Sequence, residues 1–335
     1  MSIFSQYKEP IFLNKSSSLQ EQIDQLKELE PKLNEVGREK VKKDIKLLEY
    51  GLLGENSIIY ELQNSHMPLY ILHDVYFEID GFTAQIDFLV FTPKLCFVIE
   101  CKNLYGNITV NNDGSFSRKV YFGSRYISEG VYSPITQNER HLQVIKKIRL
   151  NQAGTIKKIL INNAFDITYK PIIVIANSKT ILNTRYAPKN IKSKIIRADQ
   201  LIEYMKTEYN ASKISPSSDK LTRQWAESFL ACNQTNITDY LKKYNPYIIE
   251  EPERLDKDTL YQKLKEFRYE TAKAENIAAY IVFNNKTLDA LIEKHPTTLE
   301  EIKETPGFGE VKVQKYGKAI LDIFLGNTSK QKQPS

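Results

Sequence analysis

The sequence predicts an α/β domain built on a mixed β-sheet, followed by a separate all-α bundle. Three observations predict this. The chain has 335 residues, of which 41% are hydrophobic and 26% charged, a globular composition long enough for one large domain or two ordinary ones. Short apolar strand patterns mix with helical periodicity as far as about residue 232, whereas residues 259–324 show helical patterns throughout.

Helices come first along the chain. Residues 16–50 are highly charged, with apolar residues at helical spacing, and predict two amphipathic helices that separate near Pro31. The segment LLGENSIIYELQN predicts a third helix. Five strands are predicted next, with an Asp113-Gly114 hairpin turn between the last two: LYILHDVYF, AQIDFLVF, LCFVIECKN, GNITVNN and SFSRKVYF.

The second half of the domain alternates helices with one strand. Ser133 and Pro134 are typical of a helix start, and an apolar stripe follows them. KPIIVIAN predicts a strand buried on both sides. A further helix is predicted to begin at Asp199, and Trp225 is expected to pack in the last helix of the domain. The predicted divisions are a helical extension (1–50), the α/β domain (51–232), a linker (233–258), the bundle (259–325) and a flexible tail (326–335).

Several function classes are disfavoured by composition. No apolar run approaches the roughly 18 residues that span a bilayer, and residues 1–13 lack the features of a signal peptide, so no membrane partner is expected. The three cysteines show no CxxC spacing, which favours reduced thiols in a cytoplasmic protein over disulfides or zinc. No GxxxxGK[ST] phosphate loop supports ATP hydrolysis.

Positive charge is concentrated in one window. The net charge is +6, but residues 137–200 contain thirteen lysines and arginines against three acids, a net charge of +10. This concentration favours a polyanionic partner, most commonly nucleic acid. A solvated basic face without a partner explains the charge equally well.

Charged residues interrupt the apolar hairpin AQIDFLVFTPKLCFVIECKN. A turn centred between Pro93 and Lys94 places Asp87 opposite Glu100, with Cβ atoms roughly 5 Å apart. Lys102 leaves the same face as Glu100 because side chains alternate along a strand. An exposed edge on which Lys102 neutralises one acid, or a bulge that changes the register, remains an alternative.

Two helix patterns add polar groups to this region. Glu55 lies on the same helical face as Leu52, Ile59 and Leu62, so it is predicted to point toward the core. In the helix predicted to begin at Ser133 and Pro134, Gln137 and His141 likewise lie at the N-terminal end of the apolar face. Taken alone, His141 is typical of a structural histidine and Gln137 of a capping or surface amide.

Inward carboxylates and a lysine, without a His/Cys cluster, are typical of a hard-cation site. Mg²⁺ and Mn²⁺ both accept a few carboxylates completed by water. Such an ion polarises a phosphodiester oxygen and activates water, while Lys102 positions the nucleophile or offsets phosphate charge. Hydrolysis of a phosphodiester is the chemistry these groups suit.

The motifs GLLGE, IDFLV, FVIECKNLYGNI and SPITQN together resemble the NERD (nuclease-related) domain over residues 51–180. That domain is grouped with the PD-(D/E)xK nuclease superfamily, which has a restriction-endonuclease-like αβββαβ core with a mixed sheet. The resemblance implies that Asp87 and Glu100 bind metal and that Lys102 is catalytic. It also implies roles for Glu55, Gln137 and the Cys101 backbone carbonyl, the first and last as further metal ligands. Ile86-Asp87 replaces the usual Pro-Asp, a departure that the superfamily tolerates.

The C-terminal bundle resembles the HRDC (helicase and RNase D C-terminal) domain from about Leu260 to Phe324. The resemblance rests on YIVFNNKTL, HPTTLEEI and PGFGEVKVQKYG, and it implies an accessory module that contacts nucleic acid or protein. The PGFG turn offers backbone N–H groups to a phosphate, and Lys312, Lys315 and Lys318 add positive charge. Ten basic and ten acidic residues cancel between residues 259 and 324, which weakens the electrostatic case.

Together these observations predict a Mg²⁺- or Mn²⁺-dependent nuclease acting on nucleic acid, with DNA favoured over RNA and the HRDC module helping to bind it. Arg140, Lys146 and Lys147 are the predicted contacts within the basic window. The alternatives are a catalytically silent nucleic-acid-binding or helicase-associated adaptor, and a scaffold that recruits a helicase or another repair or defence protein. Endonuclease and exonuclease action are both compatible with the sequence.

Overall fold

The computed structural model describes residues 9–15, 17–236, 239–249 and 255–326. The chain divides between Ile248 and Ile249 into two compact units. The first unit is mixed α/β and the second is helical, which confirms the predicted fold class.

The first unit contains ten strands and seven α-helices within the described residues. In chain order they are β1 (Ile11–Phe12), α1 (Ser18–Leu29), α2 (Glu35–Gln63), β2 (Tyr70–Ile79), β3 (Phe82–Phe91), β4 (Cys96–Lys102), β5 (Asn107–Val110), β6 (Phe116–Phe122), β7 (Arg125–Val131), α3 (Pro134–Asn151), α4 (Thr155–Thr168), β8 (Tyr169–Ile175), β9 (Ile181–Asn183), α5 (Lys189–Lys192), β10 (Ile195–Arg197), α6 (Leu201–Ala211) and α7 (Asp219–Leu230).

The helix break near Pro31 is confirmed, but the predicted third helix is not a separate element. A 3₁₀ turn, Glu30–Lys32, divides α1 from α2, and the Asn34 side chain caps α2. Helix α2 then continues without interruption to Gln63. The predicted boundary between residues 50 and 51 therefore falls inside a helix, because the two apolar patterns share one continuous periodicity.

The larger sheet has the order β1-β2-β3-β4-β8-β10. Its β2–β3–β4 segment is antiparallel, whereas β4, β8 and β10 run parallel. Helices α3 and α7 cover one face and α2 and α6 the other, with residues such as Ile148 and Leu62 buried against the strands. Burying each large apolar side chain stabilises the fold by roughly 1.5–3 kcal/mol. Trp225 packs edge-on against Phe91 and Tyr169, as expected of a core residue.

A smaller sheet, β7-β6-β5-β9, includes the predicted β5–β6 hairpin. Gly114 has a φ of +82° at its turn, the left-handed region that glycine favours. Strand β7 was not predicted, because it has no buried face: six of its seven residues are exposed.

Part of the predicted linker belongs to the first unit. The Tyr244 side chain is buried with the N-terminal helices, and its hydroxyl and the Lys243 ammonium donate to Asp44. Ile248 also bridges to Leu33. The first compact unit therefore extends past the predicted boundary at residue 232 as far as Ile248, because Tyr244 and Ile248 contact the N-terminal segment. Residues 250–254 lie outside the described residues.

The second unit packs its helices around one apolar core, as predicted. The predicted tail lies outside the described residues from residue 327 onward. The helices are α8 (Lys257–Ala274), α9 (Ala279–Val282), α10 (Asn285–Lys294), α11 (Leu299–Lys303), α12 (Glu310–Lys312) and α13 (Lys318–Phe324), with a π-helical segment, Val313–Gly317, between the last two.

Candidate active site

The carboxyl end of β4 carries a buried acid and a lysine on the same side of the strand. Glu100 is 1% exposed. The Lys102 ammonium donates to Glu100 Oε1 at 2.6 Å and to Gln137 Oε1 at 3.1 Å. Three residues singled out in the sequence are thus brought into one hydrogen-bonded group at the junction of β4 and α3.

Asp87 lies where β3 separates from β4. The predicted register is correct, since Phe88 pairs with Ile99 and Phe91 with Cys96. The ladder stops at Phe88, however, one pair before Asp87 and Glu100. Asp87 Oδ2 instead accepts the Cys101 N–H at 2.6 Å, so a side chain replaces the main-chain acceptor.

The Cys101 carbonyl has a defined direction as well. In an extended strand the N–H and C=O of one residue point toward the same neighbouring strand. The Cys101 carbonyl therefore points toward the β3 side of β4, the side on which its N–H bonds to Asp87. This orientation is compatible with the ligand role that the resemblance implies.

Glu55 approaches the carboxyl end of β4 from α2. Gly54 permits this approach, because a Cβ there would lie 2.7 Å from Asn103 Cβ and 3.1 Å from Cys101 Sγ. Glu55 is 7% exposed, as its helical face predicted, and its Oε2 lies 2.9 Å from His73 Nε2. His73 in turn stacks on Phe88.

Sequence reasoning missed His73. The available signal was a polar pair, His73-Asp74, inside the apolar strand LYILHDVYF. A buried imidazole beside a buried carboxylate fixes the orientation of that carboxylate. His73 therefore positions Glu55.

The carboxylates affect one another electrostatically. Burial raises the pKa of Asp87 well above its ordinary value, and the negative charges of Glu100 and Glu55 raise it further. Burial also raises the pKa of Glu100, against the attraction of Lys102. The pKa of Lys102 is raised despite burial, because Glu100 stabilises the ammonium. The group therefore holds a protonated lysine among acids that repel each other.

His141 lies beside the second oxygen of Glu100. His141 Nδ1 and Glu100 Oε2 are 3.5 Å apart, and neither has a hydrogen-bond partner among the described residues. Burial, followed by the nearby Lys102 charge, lowers the pKa of His141 to about 4, so the imidazole is neutral at neutral pH. Glu100 consequently presents a buried acceptor that the protein leaves unsatisfied.

Asn138, also missed in the sequence, anchors the helix that carries Gln137 and His141. Its side-chain amide donates to the carbonyls of Val98 and Ile172 at 2.9 and 3.2 Å, from a position that is 1% exposed. These bonds tie the first turn of α3 to β4 and β8. They thereby fix Gln137 against Lys102.

Carboxylate oxygens are ligands that a hard cation accepts, although each of the three acids already has a hydrogen-bond partner within the protein. Across the described ranges, no three His, Cys, Asp or Glu side chains gather as closely as ligands of one metal. Lys102, the Cys101 N–H and His73 bond to Glu100, Asp87 and Glu55, respectively. The unsatisfied Glu100 Oε2 and the repulsion among the carboxylates are the features that a Mg²⁺ or Mn²⁺ ion would relieve.

Two family models match the chain. Residues 50–176 match the model described as nuclease-related domain, and residues 257–324 match the HRDC domain. The chain carries a nuclease-related domain and an HRDC domain. Among the described residues, no helix combines the length and apolar character needed to cross a bilayer.

The curated relatives that match are DNA helicases. The ATP-dependent DNA helicase UvrD2 of Mycobacterium tuberculosis is 39% identical over 74 residues, which is 22% of this chain and 10% of the relative. The ATP-dependent DNA helicase RecQ of Pasteurella multocida is 38% identical over 69 residues, 21% of this chain and 11% of the relative. The chain thus spans about a tenth of the length of these relatives. A solved structure, the D. radiodurans RecQ HRDC domain 3, is 40% identical and covers 21% of this chain and 92% of its own, with a TM-score of 0.21.

The predicted nucleic-acid contacts on α3 of the nuclease-related domain differ in their surroundings. Arg140 is exposed and lies 5.8 Å from the centre of the Tyr132 ring, one turn from Gln137. Lys146 lies over Phe165, and Lys147 lies 3.4 Å from Asp80. Lys146 and Lys147 lie about 10 Å beyond Arg140 along the helix axis. Of the three, Arg140 is the nearest to Gln137 along α3.

The HRDC lysines are also unequal. Lys315 donates to Glu275 at 2.6 Å, whereas Lys318 is exposed and Lys312 is half-buried. The PGFG turn depends on Gly307, whose φ is +93° and whose Cβ would lie 2.2 Å from Thr287 Oγ1. Within this turn Phe308 is buried in the core.

Proposed function

We propose that this protein is a nuclease that hydrolyses phosphodiester bonds with Mg²⁺ or Mn²⁺, with DNA favoured over RNA as substrate. The observation that carries the proposal is the group formed by Asp87, Glu100, Lys102 and Gln137 at one end of β4, within a nuclease-related domain. The HRDC domain helps to hold the nucleic acid.

The residues have separable roles in this proposal. Asp87, Glu100, Glu55 and the Cys101 carbonyl would hold the cation. When bound, the cation supplies Lewis acidity toward a phosphodiester oxygen and lowers the pKa of water. Lys102 stays protonated, orients the nucleophile and offsets phosphate charge, while Gln137 fixes its position.

The test is cleavage of linear, nicked, circular and single-stranded DNA, and of matched RNA, in Mg²⁺, Mn²⁺ or EDTA. Lys102→Gln should lower the cleavage rate by about 100-fold or more, because it removes the charge at the phosphate. Lys220→Gln, at an exposed lysine on α7 outside the basic window of residues 137–200, should cleave like the parent. Absence of cleavage by the parent on every substrate, or unchanged cleavage by Lys102→Gln, contradicts the proposal.

A catalytically silent nucleic-acid-binding adaptor, associated with a helicase, is the second candidate. One observation favours it: Lys102, the Cys101 N–H and His73 already bond to the three acids without a cation. This candidate predicts salt-dependent binding without turnover. Capture of a helicase from nuclease-treated lysate supports the helicase association.

We place the protein in the cytoplasm. All three of its cysteines, Cys96, Cys101 and Cys232, are free thiols. Proteins that retain free thiols without disulfides are typical of a reducing compartment.

A further inference from the structure

Among the described residues, the apolar packing of the smaller sheet lies on one of its faces. Side chains alternate along each strand, and Ile108, Val110 and Phe116 point from β5 and β6 into an apolar cluster with Ile135 and Ile175. The opposite face, which we name the open face, points away from this core. By register it comprises Asn107, Thr109, Ser117, Lys119, Tyr121, Tyr126, Ser128, Gly130, Ile181 and Asn183.

Two tyrosines and a lysine stand out on the open face. Tyr121 and Tyr126 are cross-strand partners, are 50% and 54% exposed, and have ring centres 5.5 Å apart. The Lys119 ammonium lies 5.0 Å from the centre of the Tyr126 ring. The strands therefore present large planar surfaces to solvent with a positive charge beside them.

The charge and polarity of the open face suit a polyanion better than an apolar protein surface. None of its ten residues is acidic, and the one acid of β6 and β7, Glu129, lies on the other face and pairs with Arg118. Ile181 is its only aliphatic residue. The remaining positions are mainly hydroxyl and amide side chains, which form hydrogen bonds without a sequence requirement.

The chain connects this sheet directly to the candidate active site. Strand β4 ends at Lys102, and β5 begins five residues later at Asn107, on the open face. At the other end, β7 ends at Val131, six residues before Gln137, which accepts the Lys102 bond. A nucleic-acid strand on the open face would thus lie on a segment of chain that leaves the candidate active site after Lys102 and returns to it at Gln137.

We propose that the open face binds a nucleic-acid strand through unpaired bases, which stack on Tyr121 and Tyr126 while Lys119 contacts a phosphate. Stacking on an exposed aromatic ring tolerates any base, and its loss weakens binding by about tenfold or more per base. Duplex bases are already stacked on each other, so a duplex gains little from these rings. This deepens the proposed function by naming its substrate class, but the binding does not require cleavage.

The test measures binding by the full chain in EDTA, where metal-dependent turnover is absent. Fluorescence anisotropy reports the Kd of labelled oligo(dT) and oligo(rU), each about 20 nucleotides long to exceed the roughly 4–16 that one such surface covers, and of a duplex of equal length. The Tyr121→Ala/Tyr126→Ala double variant should bind both single strands at least tenfold more weakly and the duplex within twofold of the parent. The Phe/Phe double variant should bind like the parent, because the rings remain.

Tyr60→Ala, at an exposed tyrosine on α2, is the matched control and should leave every Kd unchanged. The melting temperatures of all variants verify that the fold is retained. Unchanged binding by the Ala/Ala variant, an equal loss for duplex, or a loss in the Phe/Phe variant overturns the proposal. Unchanged binding combined with altered self-association would assign the face to a second copy of the chain instead. Failure of the proposed nuclease is separate, since Lys102→Gln tests cleavage while single-strand binding persists.

Discussion

Asp74 and Asp87 occupy the register position that the β2–β3 ladder skips, between the His73–Phe88 and Val75–Ile86 pairs. Asp74 has a φ of +52°, a left-handed conformation that Asp tolerates better than most residues. Its carboxylate accepts from the Ser18 N–H and from Gln85, whereas Asp87 reaches the Cys101 N–H on the other neighbouring strand.

The interruption also changes which side chains face α3. Leu72 and Val75, although an odd number of residues apart, belong to the same core cluster, and so do Ile86 and Leu89. Regular alternation would place the members of each pair on opposite faces. The acidic group therefore lies at a break in the sheet rather than on a continuous ladder.

Replacing Asp87 with Asn should stabilise the cation-free protein while removing cleavage. Burial and the charges of Glu100 and Glu55 disfavour the ionised Asp87, as its raised pKa indicates. Asn keeps an acceptor for the Cys101 N–H without the charge. Because Asn removes a charge that the folded state disfavours, the melting temperature in EDTA at pH 7 should rise by a few degrees.

Trp225, the single tryptophan, lies in the first unit and reports this transition by fluorescence. Mn²⁺ should raise the melting temperature of the parent but raise that of Asp87→Asn much less. Asp166→Asn, at an exposed acid on α4, should match the parent in both conditions. A lower melting temperature for Asp87→Asn in EDTA would show that the carboxylate is stabilising as it stands.

Replacing His73 should change the Mn²⁺ concentration that cleavage requires, but not the affinity for nucleic acid. Leu at this position leaves the buried Glu55 Oε2 without the imidazole, which should destabilise the fold by about 1–3 kcal/mol. Because partners of ligating carboxylates tune metal affinity, half-maximal cleavage should require at least about tenfold more Mn²⁺.

His73→Gln retains an N–H donor and is the conservative variant. It should restore most of the parent's Mn²⁺ requirement for half-maximal cleavage. The Kd for oligonucleotides in EDTA should be the same for the parent, the Leu variant and the Gln variant. A lower cleavage rate with an unchanged Mn²⁺ requirement would instead assign His73 a purely structural role.

The sequence predicted those features of the site that follow from local periodicity. A turn centred between Pro93 and Lys94 determines the register, and helical spacing determines that Glu55 and Gln137 point inward. The ladder break at Asp74 was not predictable from pairing rules, because a left-handed residue inside a strand depends on the tertiary contacts of its side chain.

Two other features escaped prediction for different reasons. Strand β7 has no buried face, so the alternation that identifies strands is missing from it. The anchoring of Tyr244 depends on a long-range contact with Asp44, 200 residues away. The segment that contains Tyr244 carries prolines and charges that resemble those of a linker.

The Asp44 anchor should make the first unit sensitive to acid. Burial raises the pKa of Asp44, but hydrogen bonds from Lys243 and Tyr244 outweigh it, so the pKa lies below its ordinary value. A carboxyl with a lowered folded-state pKa stabilises the fold above its unfolded pKa of about 3.9, and this contribution is lost as the pH falls through the folded-state value.

Asp44→Asn should therefore lower the free energy of unfolding at pH 7 by about 1 kcal/mol, a value limited by solvent screening. The difference should shrink as the pH falls below the ordinary carboxyl pKa of about 3.9. Urea denaturation monitored by Trp225 fluorescence at pH 7, 5 and 3 measures it. Glu39→Gln, at an exposed acid on the same helix, is the control. A difference of equal size at pH 7 and pH 3 would mean that packing, not the ionised carboxylate, links this segment to α2.

The three HRDC lysines should contribute unequally to nucleic-acid binding. Lys318 is exposed and Lys312 half-buried, whereas Lys315 is paired with Glu275 and must break that bond to reach a phosphate. Lys318→Ala or Lys312→Ala should reduce the slope of log Kd against log salt by about 1 in magnitude, the change expected for one phosphate contact. Lys315→Ala should change it less. An equal reduction of the slope in all three variants would mean that Lys315 exchanges Glu275 for a phosphate. An unchanged slope in all three would exclude the segment that carries these lysines from the nucleic-acid surface.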